Sequence, residues 1–303
     1  MSRCIPDYLP AEFLSVAKGV TRMLLKGKPV ADRIKEEIIK AVAERKEAGG
    51  CPPKLAILRA GERADDLAYE ARVLKNCAEL GILAEVRAVD QNISTADFLR
   101  VLDSLNEAPD VHGILIFRPL PEQIDAEAVS RAIRPEKDID CMSPVNAEKI
   151  FTGDRSGIPP CTPEAVIEIL KHYQYELEGK NVAVVNRSMV LGRPLAMLFL
   201  AENSTVTICH SKTKDLEKVT SGADIVVTGV GKAKFFGKNY FSAHSVVIDV
   251  GINMAEGNLC GDVDFEEVSE SVSAITPVPG GVGTVTSMIL LRHVIKAMEL
   301  LGR

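Results

Sequence analysis

The sequence predicts an α/β protein of two domains, each built on a parallel sheet with helices on both faces. Short β-rich runs alternate with longer amphipathic stretches along the chain, which is the pattern of βαβ units. The runs are too uniformly apolar for half-exposed strands, so they read as buried ones. At 303 residues the chain holds two domains, each with its own core. A cluster of turn formers at 155–163 (Arg-Ser-Gly-Ile-Pro-Pro-Cys-Thr-Pro) breaks the alternation where a boundary belongs.

The first twenty residues carry Pro6, Pro10 and acidic side chains where a signal peptide needs a clean apolar stretch. Residues 1–22 therefore read as a short extension. In the first domain, 23–158, periodicity predicts a helix at 30–48, a strand at 55–58, helices at 66–80 and 95–105, a strand at 113–117 and a helix at 126–133. In the second, 159–284, Thr162 suits an N-cap and Pro163 the first helical position, opening a helix at 163–171. Strands follow at 182–185, 205–208, 225–228 and 246–250, with a helix at 192–201. A closing helix at 285–300 comes after a glycine-rich turn and is expected to pack back on the first domain.

A composition of 46% hydrophobic and 26% charged residues is that of a soluble globular protein. The net charge of -6 gives no general attraction to nucleic acid or to an anionic membrane, and no apolar run reaches the roughly 18 residues of a membrane span. Seven cysteines without a CxxC pair suggest reduced thiols in a cytoplasmic protein rather than a disulfide frame or zinc site. No metal is expected.

On the predicted helix at 66–80, Arg72 and Val73 lie beside Tyr69, whereas Lys75, six positions on, points elsewhere. In the second domain the strand at 182–185 runs through Asn186, Arg187 and Ser188 into Gly192 and a helix. A strand, tight turn and helix N-terminus in that order present backbone N–H groups to a phosphate. A guanidinium after the first strand, Arg187, suits the 2′-phosphate of NADP. His210, Ser211 and Lys212, after the next strand, add a hydroxyl and a second cation near the ribose edge. Ile252 follows a strand end on the side where open α/β sheets bind ligands. Pro279, Gly280 and Gly281 lie in a turn whose glycines would admit a flat ring close to the backbone.

With residues 135–140 (Pro-Glu-Lys-Asp-Ile-Asp) and 160–163 (Pro-Cys-Thr-Pro), these segments resemble the methylenetetrahydrofolate dehydrogenase/cyclohydrolase family from about Leu24 to the C-terminus. The resemblance implies an N-terminal catalytic domain, a C-terminal Rossmann-like dinucleotide-binding domain, a folate site in the cleft between them, and a homodimer formed through the cofactor domain. It implies oxidation of methylenetetrahydrofolate with NADP, then hydrolysis of the methenyl product to formyltetrahydrofolate. By the same likeness Arg187 and Ser211 hold the 2′-phosphate with His210 nearby. Asn186, Arg187 and Ser188 line the pyrophosphate turn, and Ile252 sits by the nicotinamide. Asp140 binds the pterin, and Tyr69, Phe117, Arg118, Pro279, Gly280 and Gly281 complete the substrate site, with Tyr69 and Asp140 as its catalytic pair.

The chain departs from that family at the chemistry. Val73 stands where the lysine of a Tyr-x-x-x-Lys pair, central to the cyclohydrolase step, is expected. Phe117 stands at the position of a glutamine, with Arg118 following. One reading is a dehydrogenase without cyclohydrolase activity. The other is a substrate-shifted or non-catalytic paralogue in which Phe117, Arg118 and Arg72 shape a different pocket. Arg72 stays protonated and makes a poor base. Smaller departures are Asn186, Cys141 and Ala165 at expected glycines and Thr284 at an expected proline; asparagine tolerates positive φ, so the turn at 186 is expected to survive.

Overall fold

The computed structural model describes residues 13–17 and 20–302. β1 (Phe13–Ala17) and β2 (Val20–Leu24) form an antiparallel hairpin, so part of the expected extension is strand; its residues 1–12, 18 and 19 lie outside the described residues. Then come α1 (Gly27–Glu47), β3 (Lys54–Ala60), α2 (Ala64–Leu80), β4 (Leu83–Val89), α3 (Thr95–Glu107), β5 (Gly113–Ile116), α4 (Ala126–Ala132) and α5 (Pro144–Thr152). The second half runs through α6 (Cys161–His172), β6 (Asn181–Val185), α7 (Gly192–Ala201), β7 (Thr205–Cys209), α8 (Leu216–Ser221), β8 (Ile225–Thr228) and β9 (Val246–Asp249). A hairpin of β10 (Asn253–Ala255) and β11 (Asn258–Cys260), α9 (Phe265–Val268), β12 (Ala274–Ile275) and α10 (Val282–Leu300) complete the chain.

The chain separates into two compact units, Pro29–Ala165 with Val285–Arg303, and Val166–Thr284 with the segment up to Lys28. The crossings fall inside α1, α6 and α10 rather than in the turn-rich stretch at 155–163. In the first unit β4, β3 and β5 form a parallel sheet with β3 central. Ser94 caps α3 by accepting from the Asp97 N–H at 3.1 Å. The apolar stripe Phe98, Leu102 and Leu105 then buries against Leu58, Ile114 and Ile116 of the sheet.

In the second unit the strand order is β1-β2-β12-β9-β8-β6-β7, parallel from β2 onward. Every residue of β8 and β9 is buried, as their sequences require. β7 departs from expectation. It pairs only with β6, and its side chains alternate between exposed and half-buried until Cys209. As an edge strand it needs only one apolar face.

Several elements escaped sequence reading, among them β4 and α5. β4 is the edge of its sheet, and Glu85, Arg87 and Ala88 interrupt its pattern. α5 has only 9 residues, fewer than periodicity can register. Its start is nevertheless encoded, with Ser143 accepting from the Val145 N–H and Pro144 at the first helical position.

Candidate active site

The site in the first unit is assembled at the carboxyl end of β5. Ile114 pairs in parallel with Asp138, and the Ile114 N–H donates to the Lys137 carbonyl at 2.7 Å. Two residues further along both segments, Asp140 comes level with the strand end, and Arg118 donates from Nη2 to Asp140 Oδ2 at 2.7 Å. The other carboxylate oxygen, Oδ1, accepts from the Cys161 N–H at 3.3 Å. That bond caps α6, which therefore opens at Cys161 and not, as the Thr162-Pro163 pair suggested, at Pro163.

α2 supplies the other wall. Its first turns are tied to β3 by Arg59, whose Nε donates to Glu70 Oε2 at 2.7 Å and whose Nη1 donates to the Gly61 carbonyl. The residue before Glu70, Tyr69, lays its ring against Phe117 with centroids 5.3 Å apart at an interplanar angle of 41°. Burial, with the acidic neighbours Cys161 and Asp140, holds the Tyr69 phenol well above its ordinary range despite the opposing charge of Arg72. Tyr69 is therefore a donor, not a base. Val73 lies in the core, 4% exposed, while Arg72 and Lys75 are exposed.

Beneath this surface lies a charged cluster that sequence reasoning missed. His293 on α10 faces the Ile139 carbonyl with Nδ1 at 2.8 Å and Glu164 Oε2 with Nε2 at 2.5 Å. Arg292 donates to the other Glu164 oxygen at 2.7 Å. Burial pushes Glu164 up, but His293 and Arg292 outweigh it and bring its pKa down to about 2. The Cys161 thiol, 3.6 Å from His293 Nδ1, is pushed up by burial and takes no part as a nucleophile.

In the second unit, the turn after β6 is held by Asn186. Its Oδ1 accepts from the Ser188 N–H and hydroxyl, both at 2.8 Å, and from the Gly192 N–H at 3.0 Å. Its Nδ2 donates to the Gly229 carbonyl at 2.5 Å. Asn186 does not have the positive φ that its replacement of glycine suggested; the side chain stabilises the turn instead. Gly192 is irreplaceable there, since a Cβ would lie 1.9 Å from the Asn186 carbonyl oxygen. The turn thus delivers the chain into the N-terminus of α7.

Arg187 and Ser211 are exposed, and neither side chain has a hydrogen-bonding partner among the described residues. The His210 ring closes its own turn, Nδ1 accepting from the Lys212 N–H at 3.1 Å. Ile252 stands 67% exposed beyond β9, next to a loop anchored by two buried carboxylates. Asp262 accepts from the N–H groups of Val230, Gly231 and Lys232 and from Asn253 Nδ2. Burial pushes the pKa of Asp249 up to about 6 against three backbone N–H donors. Gly280 and Gly281 have an internal role. The Gly280 carbonyl accepts from the Gly27 N–H at 2.7 Å, and a Cβ on Gly27 would lie 2.1 Å from the Gly281 oxygen.

Comparison with known proteins places both units. Residues 25–140 match the family model for the tetrahydrofolate dehydrogenase/cyclohydrolase catalytic domain, and residues 160–301 match that family's NAD(P)-binding domain. The chain belongs to the tetrahydrofolate dehydrogenase/cyclohydrolase family. It is 55% identical over 278 residues to the bifunctional protein FolD of Alkaliphilus oremlandii, covering 91% of this chain and 97% of that one. The bifunctional FolD enzyme of Campylobacter jejuni superposes with a TM-score of 0.89 at 38% identity, covering 92% and 99% of the two chains. The Trypanosoma brucei FolD, solved with NADP and an inhibitor, gives a TM-score of 0.86 at 33% identity over 93% and 99%.

In this member of the family the structure brings Tyr69, Phe117, Arg118 and Asp140 together in one unit. It places Asn186, Arg187, Ser188, His210, Ser211, Ile252, Pro279, Gly280 and Gly281 in the other. Cys141, where the resemblance expects glycine, has φ of 53°, in the left-handed region that glycine adopts freely. The substitution therefore carries strain of about 1 kcal/mol beside Asp140.

Proposed function

We propose that this chain is an NADP-dependent methylenetetrahydrofolate dehydrogenase whose cyclohydrolase step is weak or absent. The observation that carries the second half is the apolar stack. Where an ammonium and an amide are expected, a buried Val73 and a Phe117 ring packed on Tyr69 are found. Opening a methenyl compound requires a group that takes a proton from water. Tyr69 is held protonated, Arg118 cannot be deprotonated, and Asp140 is paired with that guanidinium and on this reading committed to the pterin.

Oxidation makes no such demand. NADP, when bound, accepts the hydride; the chain's task is to hold the two partners in place and exclude water. The diphosphate cradle at Gly192 and the exposed, unpaired Arg187 and Ser211 fit that cofactor, with Arg187 suited to the 2′-phosphate. Ile252 supplies an apolar face for the nicotinamide, and Asp140 accepts from the pterin amino group and ring N–H while Tyr69 covers the ring.

The family resemblance also supports a cytoplasmic homodimer, to be checked by sedimentation; no helix among the described residues is long and apolar enough to cross a membrane. The decisive experiment follows the absorbance of NADPH formed from methylenetetrahydrofolate, with NAD in parallel, and then the hydrolysis of added methenyl compound. Reduction of NADP without accelerated hydrolysis is expected. Hydrolysis well above the uncatalysed rate, lost in Tyr69→Phe, would overturn the monofunctional reading, and silence in both assays would overturn the dehydrogenase itself.

A further inference from the structure

The Arg118–Asp140 pair is too exposed to be explained by stability. Their side chains are 36% and 31% accessible, and pairs of that exposure contribute little to folding. The pair nevertheless sits at the carboxyl end of β5, one residue from the ring that packs on Tyr69. Arg118 has five N–H donors, and its bond to Asp140 is its one hydrogen bond among the described residues. Donors are left over beside a carboxylate that also has free lone pairs.

A 2-amino-4-oxo pyrimidine ring, the outer edge of a pterin, presents an amino donor, a ring N–H donor and a carbonyl acceptor in a row. We infer that Arg118 is a specificity-determining residue that reads this edge jointly with Asp140, the carboxylate taking the two donors and the guanidinium donating to the 4-oxo oxygen. The inference rests on the proposed role of Asp140 in pterin binding and adds to it a selection against rings bearing a 4-amino group. Such a ring turns a donor towards the guanidinium, where the 4-oxo ring turns an acceptor. A charged hydrogen bond gained in one case and an unmatched donor in the other amount to at least about a tenfold difference in affinity.

The test is equilibrium dialysis under argon of the full chain with tetrahydrofolate and with its 2,4-diamino counterpart. Wild-type protein, Arg118→Leu, Arg118→Lys and Asp140→Asn are compared, with circular dichroism as the check on folding. The wild type is expected to prefer the 4-oxo ligand by about tenfold or more. Arg118→Leu should reduce that preference to about threefold or less, or invert it, and Arg118→Lys, which keeps the charge but loses the planar fork, should fall between. If Arg118→Leu fails to fold, the shift in Arg118→Lys decides.

An unchanged ratio in the Arg118 variants, with both ligands weakened by Asp140→Asn, would overturn the role of Arg118 and leave that of Asp140 standing. If Asp140→Asn changes neither affinity, or the wild type binds neither ligand, the pterin reading of Asp140 fails and the inference fails with it.

Discussion

Replacing Glu164 by glutamine tests whether the charged cluster beneath Asp140 holds the first unit together. Burial alone would raise this carboxyl, but His293 at 2.5 Å and Arg292 at 2.7 Å bring its pKa down to about 2 from an ordinary 4.5. A folded-state pKa below the unfolded one means that the unfolded chain binds more protons between those values. The stabilisation is therefore complete above pH 4.5 and is lost as pH falls towards 2. At 1.36 kcal/mol per pH unit the difference is worth about 3 kcal/mol at neutral pH, and less than half of that remains at pH 3. The side chain is 22% exposed, so solvent screening does not remove this contribution. Urea unfolding followed by circular dichroism is the suitable assay, since the chain has no tryptophan. Glu164→Gln should lose about 3 kcal/mol at pH 7, with the gap to wild type narrowing on acidification. A gap that stays constant from pH 7 to pH 3 would refute the reasoning.

Lys137→Met should cost about 3 kcal/mol in urea unfolding, because the buried ammonium satisfies the carbonyls of Leu105, Asn106 and Ala108 at 3.0, 2.6 and 2.8 Å; a loss below about 1 kcal/mol would mean that water replaces it. Gly192→Ala should raise the KM for NADP at least about tenfold while leaving affinity for the folate unchanged, since its Cβ would strike the Asn186 carbonyl at 1.9 Å; an unaltered KM would mean that the turn gives way freely. Val73→Lys alone should destabilise by about 3 kcal/mol, burying an ammonium on the helix face it shares with Tyr69, and Val73→Lys with Phe117→Gln should recover at least about 1 kcal/mol of that. Strict additivity in that double-mutant cycle would show that the two departures are independent.

The sequence was most legible where a physical demand is local. β8 and β9 are buried on both faces and say so residue by residue. The turn after β6 announced itself by strand, turn and helix in succession, although the reason for Asn186 was misread: its side chain, not its backbone angle, makes the turn. β7 and β4 were misread or missed because an edge strand needs only one apolar face. The Glu164–His293 cluster joins residues 129 positions apart, and no spacing rule reaches across that distance.

The segment Pro-Glu-Lys-Asp-Ile-Asp at 135–140 shows why a motif reveals family more readily than chemistry. Lys137 caps the carboxyl end of α3 through three carbonyls. Asp138 accepts from the N–H groups of Met142 and Ser143 and from Asn146 Nδ2, fixing the approach to α5. Only Asp140 turns to the site, and it too caps a helix through the Cys161 N–H. Three charged residues in four positions thus serve three helix ends, and a match to such a motif is mostly a match to architecture. The chemistry is decided by what surrounds that carboxylate: Arg118 pairs with it, Phe117 packs on Tyr69, and Val73 is buried. A family fold with all its caps in place can therefore keep its cofactor turn and its carboxylate while its proton-transfer step is lost, because no helix end depends on Val73 or Phe117.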